Sequence, residues 1–137
     1  MARERLEIEA PEVAVHLDAQ DPESLRRLVL EACQRASTVR TDHEPLVDLA
    51  LSQLVRGTPD DNLARKLEEL AERTDDRYLT AQEAADPNWA TLFRSARLAS
   101  ALSLALREQT RSSVLNSIYE AAHASPDTAA FYRDLLL

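Results

Sequence analysis

Apolar residues recur every three to four positions along most of this chain, which is the spacing of amphipathic helices. The segment from Asp86 to residue 106 is apolar on most of its sides, so we expect it to lie at the centre of the fold or in an oligomer seam. A break or kink near Thr74–Asp76 is predicted within the preceding helix, although its stripe also fits one continuous helix to Ala85. The stripes together predict helices over residues 22–37, 41–56, 58–85, 86–106, 114–122 and 125–136.

Four dipeptides place a capping residue directly before a proline, and they predict where helices begin. The short side-chain oxygen accepts hydrogen bonds from the first turn, and proline at the first helical position forfeits no hydrogen bond. Gly57, the single glycine among 137 residues, predicts a helix end, and its isolation leaves few positions for hairpin turns. The four dipeptides are Asp21-Pro22, Thr58-Pro59, Asp86-Pro87 and Ser125-Pro126.

Residues 5–18 have a different pattern, because apolar and polar side chains alternate there with a period of two. This alternation predicts extended structure, with Pro11 at an edge or a bulge. No other segment resembles a strand, so the arm must pair with another copy, pair with another protein or lie along the helices. We expect it to pair outside its own chain. The prediction is an all-α bundle of five to six helices (residues 21–137) with a short extended N-terminal arm (residues 1–20).

Composition and charge limit the classes of partner. The chain is 45% hydrophobic but only 4% aromatic, which predicts a thin core and favours subunits that share one. Its net charge of −8 disfavours nucleic acid and anionic membranes, and no apolar run reaches 18 residues. We therefore expect the partner to be a protein, either a second copy or another chain.

The cysteine content and the residue bias suggest where the protein works. Cys33 is the only cysteine, so no internal disulfide forms, and a lone thiol is typical of a reducing compartment. The cytoplasm is the expected location, since residues 1–10 carry no secretion signal. The bias toward Ala, Arg, Asp and Glu is typical of a GC-rich bacterial genome.

An acidic cluster is the strongest candidate for chemistry. Carboxylates at helical spacing share a face, and two such faces can hold cations that bridge phosphates. An E-E-x-x-E helix followed by an E-x-x-D helix resembles the Mg²⁺-binding pattern of the all-α nucleotide pyrophosphatases, over residues 68–86 alone. The alternative is a solvated helix face, with neighbouring basic residues as ion-pair partners. The acids are Glu68, Glu69, Glu72, Glu83 and Asp86.

The other candidate residues give weaker indications of a functional site. The segment 79–85 resembles the first helix of some helix-turn-helix DNA readers, but the net charge argues against DNA, and we expect Arg94 and Arg97 to pair with acids on neighbouring helices. His123 follows Glu120 by three residues, a spacing that suits a helix-surface pair better than a metal site. A small-ligand pocket around Trp89, Phe93 and Tyr119 stays open as a third possibility, beside their use as plain core.

The function expected from these patterns is that of a non-catalytic, acidic, helical interaction protein without a cofactor, such as an adaptor, an immunity protein or an assembly subunit. It would act as an oligomer or in a complex. The alternative is a Mg²⁺-dependent nucleotide pyrophosphatase that uses the acids at 68–86. The expected interaction residues lie on the N-terminal arm and on the apolar helix that follows Asp86, and they are Ile8, Val13, Val15, Leu17, Leu98 and Leu102.

Overall fold

A computed structural model of the protein describes residues 3–137, which form eight α-helices and no strand. The predicted all-α class is confirmed. One hydrophobic core runs through the bundle and receives side chains from all eight helices. The helices are α1 (Arg5–Glu9), α2 (Pro11–Asp18), α3 (Pro22–Thr38), α4 (Pro45–Arg56), α5 (Asp61–Glu83), α6 (Trp89–Ala105), α7 (Arg111–His123) and α8 (Thr128–Leu135).

The prediction of an extended N-terminal arm is wrong, and so is the predicted count of five to six helices. Residues 5–18 form two short helices, and α1 packs against α7 of the same chain. Apart from Ala14, which lies beside Val13, their buried side chains follow one another at intervals of three and four residues, which is a helical stripe. The alternation of apolar and polar residues was misleading because, apart from Ala14, these positions also satisfy a period of two on either side of Pro11. The buried residues are Leu6, Ala10, Val13, Ala14 and Leu17.

The junction between α1 and α2 is set by Pro11. Ala10 has φ −142° and ψ 70°, outside the helical region, because the ring of a following proline disfavours helical backbone in the residue before it. Pro11 occupies the first turn of α2, where its missing N–H has no helical partner to lose. Proline here begins a helix, and it does not mark a strand edge.

Helix α3 and the end of α4 agree closely with the predicted segments, but α4 begins at Pro45, with Glu44 as its cap, and not at residue 41. The Asp21 carboxylate accepts a hydrogen bond from the Ser24 N–H at 2.8 Å and caps α3, with Pro22 in the first turn. Helix α4 ends at Gly57, whose φ of +80° lies in the left-handed region that favours glycine. A Cβ atom at Gly57 would meet nothing within 4 Å, so the backbone conformation alone favours glycine there.

Helix α5 is continuous over 23 residues, so the predicted break near Thr74–Asp76 is wrong. The buried Thr74 hydroxyl donates to the Leu70 carbonyl at 2.7 Å, which satisfies this polar group inside the helix. The cap of α5 is Asp60, which accepts from the Leu63 N–H at 3.0 Å. The helix therefore begins two residues later than the Thr58-Pro59 dipeptide predicts.

Helix α6 is the central helix, as its apolar sides predicted. It packs most extensively on α5 and α7 and also touches α3 and α4, and its Leu98 and Leu102 side chains are buried. Its small residues allow α6 to pack closely on α5. The Ser103 hydroxyl consequently donates a hydrogen bond to the Ala64 carbonyl of α5 at 2.7 Å. The buried Ser103 side chain is thus hydrogen-bonded, as most buried polar groups in proteins are. Within residues 3–137, no helix combines the length and apolarity needed to cross a bilayer.

Candidate functional site

The acids of the predicted Mg²⁺ pattern do not converge. Glu68, Glu69, Glu72 and Glu83 all lie on the single helix α5, and Asp86 follows it. At 1.5 Å per residue, Glu68 and Glu83 are separated by about 22 Å along the helix axis. The pattern requires two helices that face each other, whereas α5 carries both halves in line.

The surroundings of these acids agree with that placement. Glu68 forms an ion pair with Arg107 at 2.8 Å, and its side chain is largely exposed. Over the described residues 3–137, no three side chains of His, Cys, Asp or Glu are placed to hold a metal ion together. The geometry therefore gives the pyrophosphatase alternative no support.

A charge network around the buried Glu120 joins the four helices α1, α5, α6 and α7. The Glu120 carboxylate on α7, with only 4% of its side chain exposed, accepts from Arg5 at 2.9 Å and from Arg97 at 3.2 Å. Arg97 also pairs with Asp75 at 2.5 Å, which confirms the predicted pairing of this arginine with neighbouring acids. The predicted pairing of Glu120 with His123 does not form. These contacts are internal, so the network holds the bundle together.

The six expected interaction residues divide into two groups. Val13, Leu17, Leu98 and Leu102 are no more than 2% exposed and lie in the core of their own chain. Ile8 and Val15 are 67% and 69% exposed on the N-terminal helices. Their role in an interaction stays a prediction.

An open groove lies between the α1–α2 junction and α8. Its volume is ≈ 550 Å³, and we refer to it as the α2/α8 groove. Val15 does not line this groove, but it follows the lining residue Glu12 by three positions, and residues three apart are neighbours on a helix surface. The lining combines apolar side chains with acids and one cation: Glu9, Ala10, Glu12, Thr128, Ala129, Tyr132, Arg133, Leu136 and Leu137.

Glu9 fixes one wall of the α2/α8 groove to the rest of the bundle. Its carboxylate accepts from the Tyr132 hydroxyl at 2.6 Å and contacts His123 Nε2 at 2.8 Å. Burial alone raises the pKa of Glu9, but the hydrogen bonds from Tyr132 and His123 outweigh it, so the pKa lies below its ordinary value. Burial and the bond to this carboxylate raise the pKa of Tyr132. Glu9 is therefore a charged group held in place beneath the groove.

The remaining candidate residues are located as follows. Cys33 is fully buried, and burial raises the pKa of its thiol to about 12, so the reactive thiolate does not form near neutral pH. Trp89 and Phe93 cluster with Tyr78, at ring-centroid distances of 6.1 and 5.3 Å from it. Tyr119 lies apart from them and stacks on His123 at 4.4 Å. The structure does not bring together the three aromatics of the predicted small-ligand pocket.

Comparisons with models of protein families, with curated proteins and with solved structures find no match to this chain.

Sequence reasoning missed the residues that build the α2/α8 groove. The alternating pattern placed Glu9 on a predicted strand, and no sequence pattern links Glu9 to Tyr132. A signal was present, since Leu6, Ala10 and Val13 already fit a helix that would project Glu9 away from the core stripe. The contacts of Glu9 with His123 and Tyr132 depend on tertiary packing, which no local sequence pattern encodes.

Proposed function

We propose that this chain is a non-catalytic interaction protein and that it binds another protein through the α2/α8 groove. The observation that carries the proposal is the composition of that groove, in which Ala10, Ala129 and Leu136 lie beside Glu9 and Glu12. An apolar groove with acidic residues suits an amphipathic helix that carries basic residues at its edges. Val15, with 69% of its surface exposed, extends the apolar area along α2.

Charge favours a different chain as the partner over a second copy. The net charge of −8 makes two copies repel each other and attracts a basic segment. In the described part of the chain, Arg133 is the one cation that lines the groove, and it lies close to Asp134, at 3.7 Å. The partner we propose is therefore a protein that presents a basic amphipathic helix.

The proposal is tested with designed peptides in place of the unidentified partner. A labelled helical peptide with a leucine stripe and lysines elsewhere is titrated with the full chain, and its fluorescence anisotropy is measured. Two control peptides are used: one has glutamates in place of the lysines, and the other has the same composition with the stripe scrambled. We expect binding of the first peptide alone, and weaker binding as salt is added.

Matched variants locate the binding site on the chain. Glu12→Lys reverses a charge in the groove, and Glu69→Lys makes the same change on the exposed face of α5. Val15→Ser and Leu49→Ser form a second pair, since Leu49 is also exposed, at 58%, but lies on α4. We expect Glu12→Lys and Val15→Ser to weaken binding and the other two to leave it unchanged. Equal effects within each pair, or no preference for the lysine peptide, would contradict the proposal.

A further inference from the structure

A second site lies between the end of α3 and the first half of α6, and it shares no residue with the α2/α8 groove. A small cavity of ≈ 20 Å³ opens there, lined by two arginines, Arg40 and Arg94. It adjoins a larger groove of ≈ 400 Å³, and the two share the hydroxyl residues Thr41, Thr91 and Ser95. We refer to the cavity and the larger groove together as the α3/α6 pocket.

Arg40 presents a polar atom that the chain does not satisfy. Its side chain is 18% exposed, and its Nη2 atom is paired with Asp48, which holds the guanidinium in place. Its Nη1 atom is buried and has no hydrogen-bond partner. A buried donor of this kind costs free energy, so a native structure normally supplies an acceptor for it.

Arg94 is the second arginine of the small cavity, and unlike Arg40 it forms no ion pair with the described residues. It is half-buried, and within residues 3–137 its side chain forms no ion pair or hydrogen bond, so the expected pairing with an acid is wrong for this residue. Its neighbour Arg97, by contrast, is paired twice. Among residues 3–137, no carboxylate lines the small cavity around Arg40 and Arg94.

The acids of the α3/α6 pocket line its larger groove, and one of them, Asp42, reaches the residues that the groove shares with the small cavity. Asp42 lines the larger groove and is held there, because it accepts from the Ser95 hydroxyl at 2.7 Å and from the Glu44 N–H at 3.3 Å. The same groove offers apolar surface from Val47, Leu70 and Leu92. The α3/α6 pocket thus has a cationic end, with an apolar and mixed-charge region beside it.

From this arrangement we propose that the α3/α6 pocket binds a small organic carboxylate. One carboxylate oxygen would occupy the small cavity, where the unpaired Arg94 would bind it and the nearby Arg40 would add positive charge. A volume of ≈ 20 Å³ holds about one water-sized group, which suits a single oxygen better than a whole tetrahedral phosphate. Asp42 and Glu44 would also repel a dianion, and the apolar residues of the larger groove would cover a hydrocarbon body.

Calorimetric titration of the full chain with butyrate, at constant ionic strength, tests the proposal. We expect saturable binding of one butyrate per chain, and weaker binding of chloride and phosphate titrated in the same way. Arg94→Met should weaken butyrate binding roughly tenfold or more, since charge-assisted hydrogen bonds are lost. Arg73→Met, at an exposed arginine of α5, is the matched control and should bind butyrate normally.

A second measurement separates loss of the ligand from loss of the fold. Arg94 has no internal partner, so Arg94→Met should keep the thermal midpoint of the ligand-free protein. The absence of saturable butyrate binding, which is the result if only water fills the cavity, would overturn the proposal. Unchanged butyrate affinity in Arg94→Met, or phosphate binding as tight as butyrate binding, would also overturn it.

Discussion

Glu120 is the most deeply buried carboxylate of the charge network, and its environment explains why an acid is tolerated on the inner face of α7. Each of its oxygens faces a guanidinium, one from Arg5 and one from Arg97. The cost of burying these charges is offset only while the partners stay in place. The sequence could not reveal this network, because its members are separated by 22 to 115 positions in the chain.

Removing the charge of Glu120 should therefore destabilise the fold. We expect Glu120→Gln to lower the free energy of unfolding by about 3 kcal/mol, because Arg97 keeps only Asp75 and Arg5 loses its acid. Glu68→Gln, which breaks an exposed pair with Arg107, should cost less than about 1 kcal/mol. Urea unfolding of both variants measures the difference, and equal losses would show that Glu120 is not a buried ionic centre.

The Glu9 carboxylate makes stability depend on pH. Its pKa in the folded protein lies below the ordinary 4.5, because hydrogen bonds from Tyr132 and His123 outweigh burial. The resulting stabilisation is fully present above pH 4.5 and is lost as the pH falls through the lowered folded-state pKa. We expect Glu9→Gln to flatten the fall in thermal midpoint below that pH. In Glu108→Gln, at an exposed position without side-chain hydrogen bonds, the thermal midpoint should fall with pH as steeply as in the natural protein. The same dependence on pH in both variants would contradict this account.

At the scale of elements, most helices were predictable and the first two were not. Both boundaries of α3 and the end of α4 agree with the sequence within one residue, because Asp21 and Gly57 act locally there, whereas α4 begins at Pro45 and not at residue 41. Residues 5–18 fit both a period of two and a helical stripe, and Leu6, Ala10 and Val13 show that the helical stripe is the one that is buried. Pro11 lies in the first turn of α2, just as Pro22 lies in the first turn of α3.

The other proline dipeptides predicted helix starts that lie two residues too early. At Thr58-Pro59 and Ser125-Pro126, the cap is the acid that follows proline, since Asp60 and Asp127 each accept from the third N–H of their helix at 3.0 Å. Aspartate caps helices better than threonine does. Where aspartate follows proline, the aspartate therefore caps the helix, and the helix begins after it. The residue before proline is then not the cap.

This choice of cap predicts different effects of two substitutions in one loop. Asp60→Ala should lower the free energy of unfolding by about 1 kcal/mol, because the first turn of α5 loses its acceptor. Thr58→Ala should cost markedly less, since its exposed hydroxyl contacts only Gln53. Denaturant midpoints of the two variants decide the matter, and a larger loss for Thr58→Ala would place the cap at the earlier residue.

At the scale of the whole molecule, both ends of the described chain meet on one side. The α1–α2 junction and α8 form the two walls of the α2/α8 groove, and Glu9 joins them through Tyr132. Composition predicted a protein partner from the net charge and the scarcity of aromatics. The location of a binding groove could not be predicted, because it depends on how α1, α2 and α8 pack together.

The central claim is that this chain works by binding a protein at the α2/α8 groove. Site-specific photo-crosslinking in the cells that produce it tests this claim most directly, with the reactive residue placed at Val15 and, as a control, at Leu49 of α4. Both positions are exposed, so neither substitution should disturb the fold. The account predicts a discrete cross-linked product from position 15, with the captured segment basic and amphipathic, and none from position 49. No product at position 15, or the same products from both positions, would contradict it.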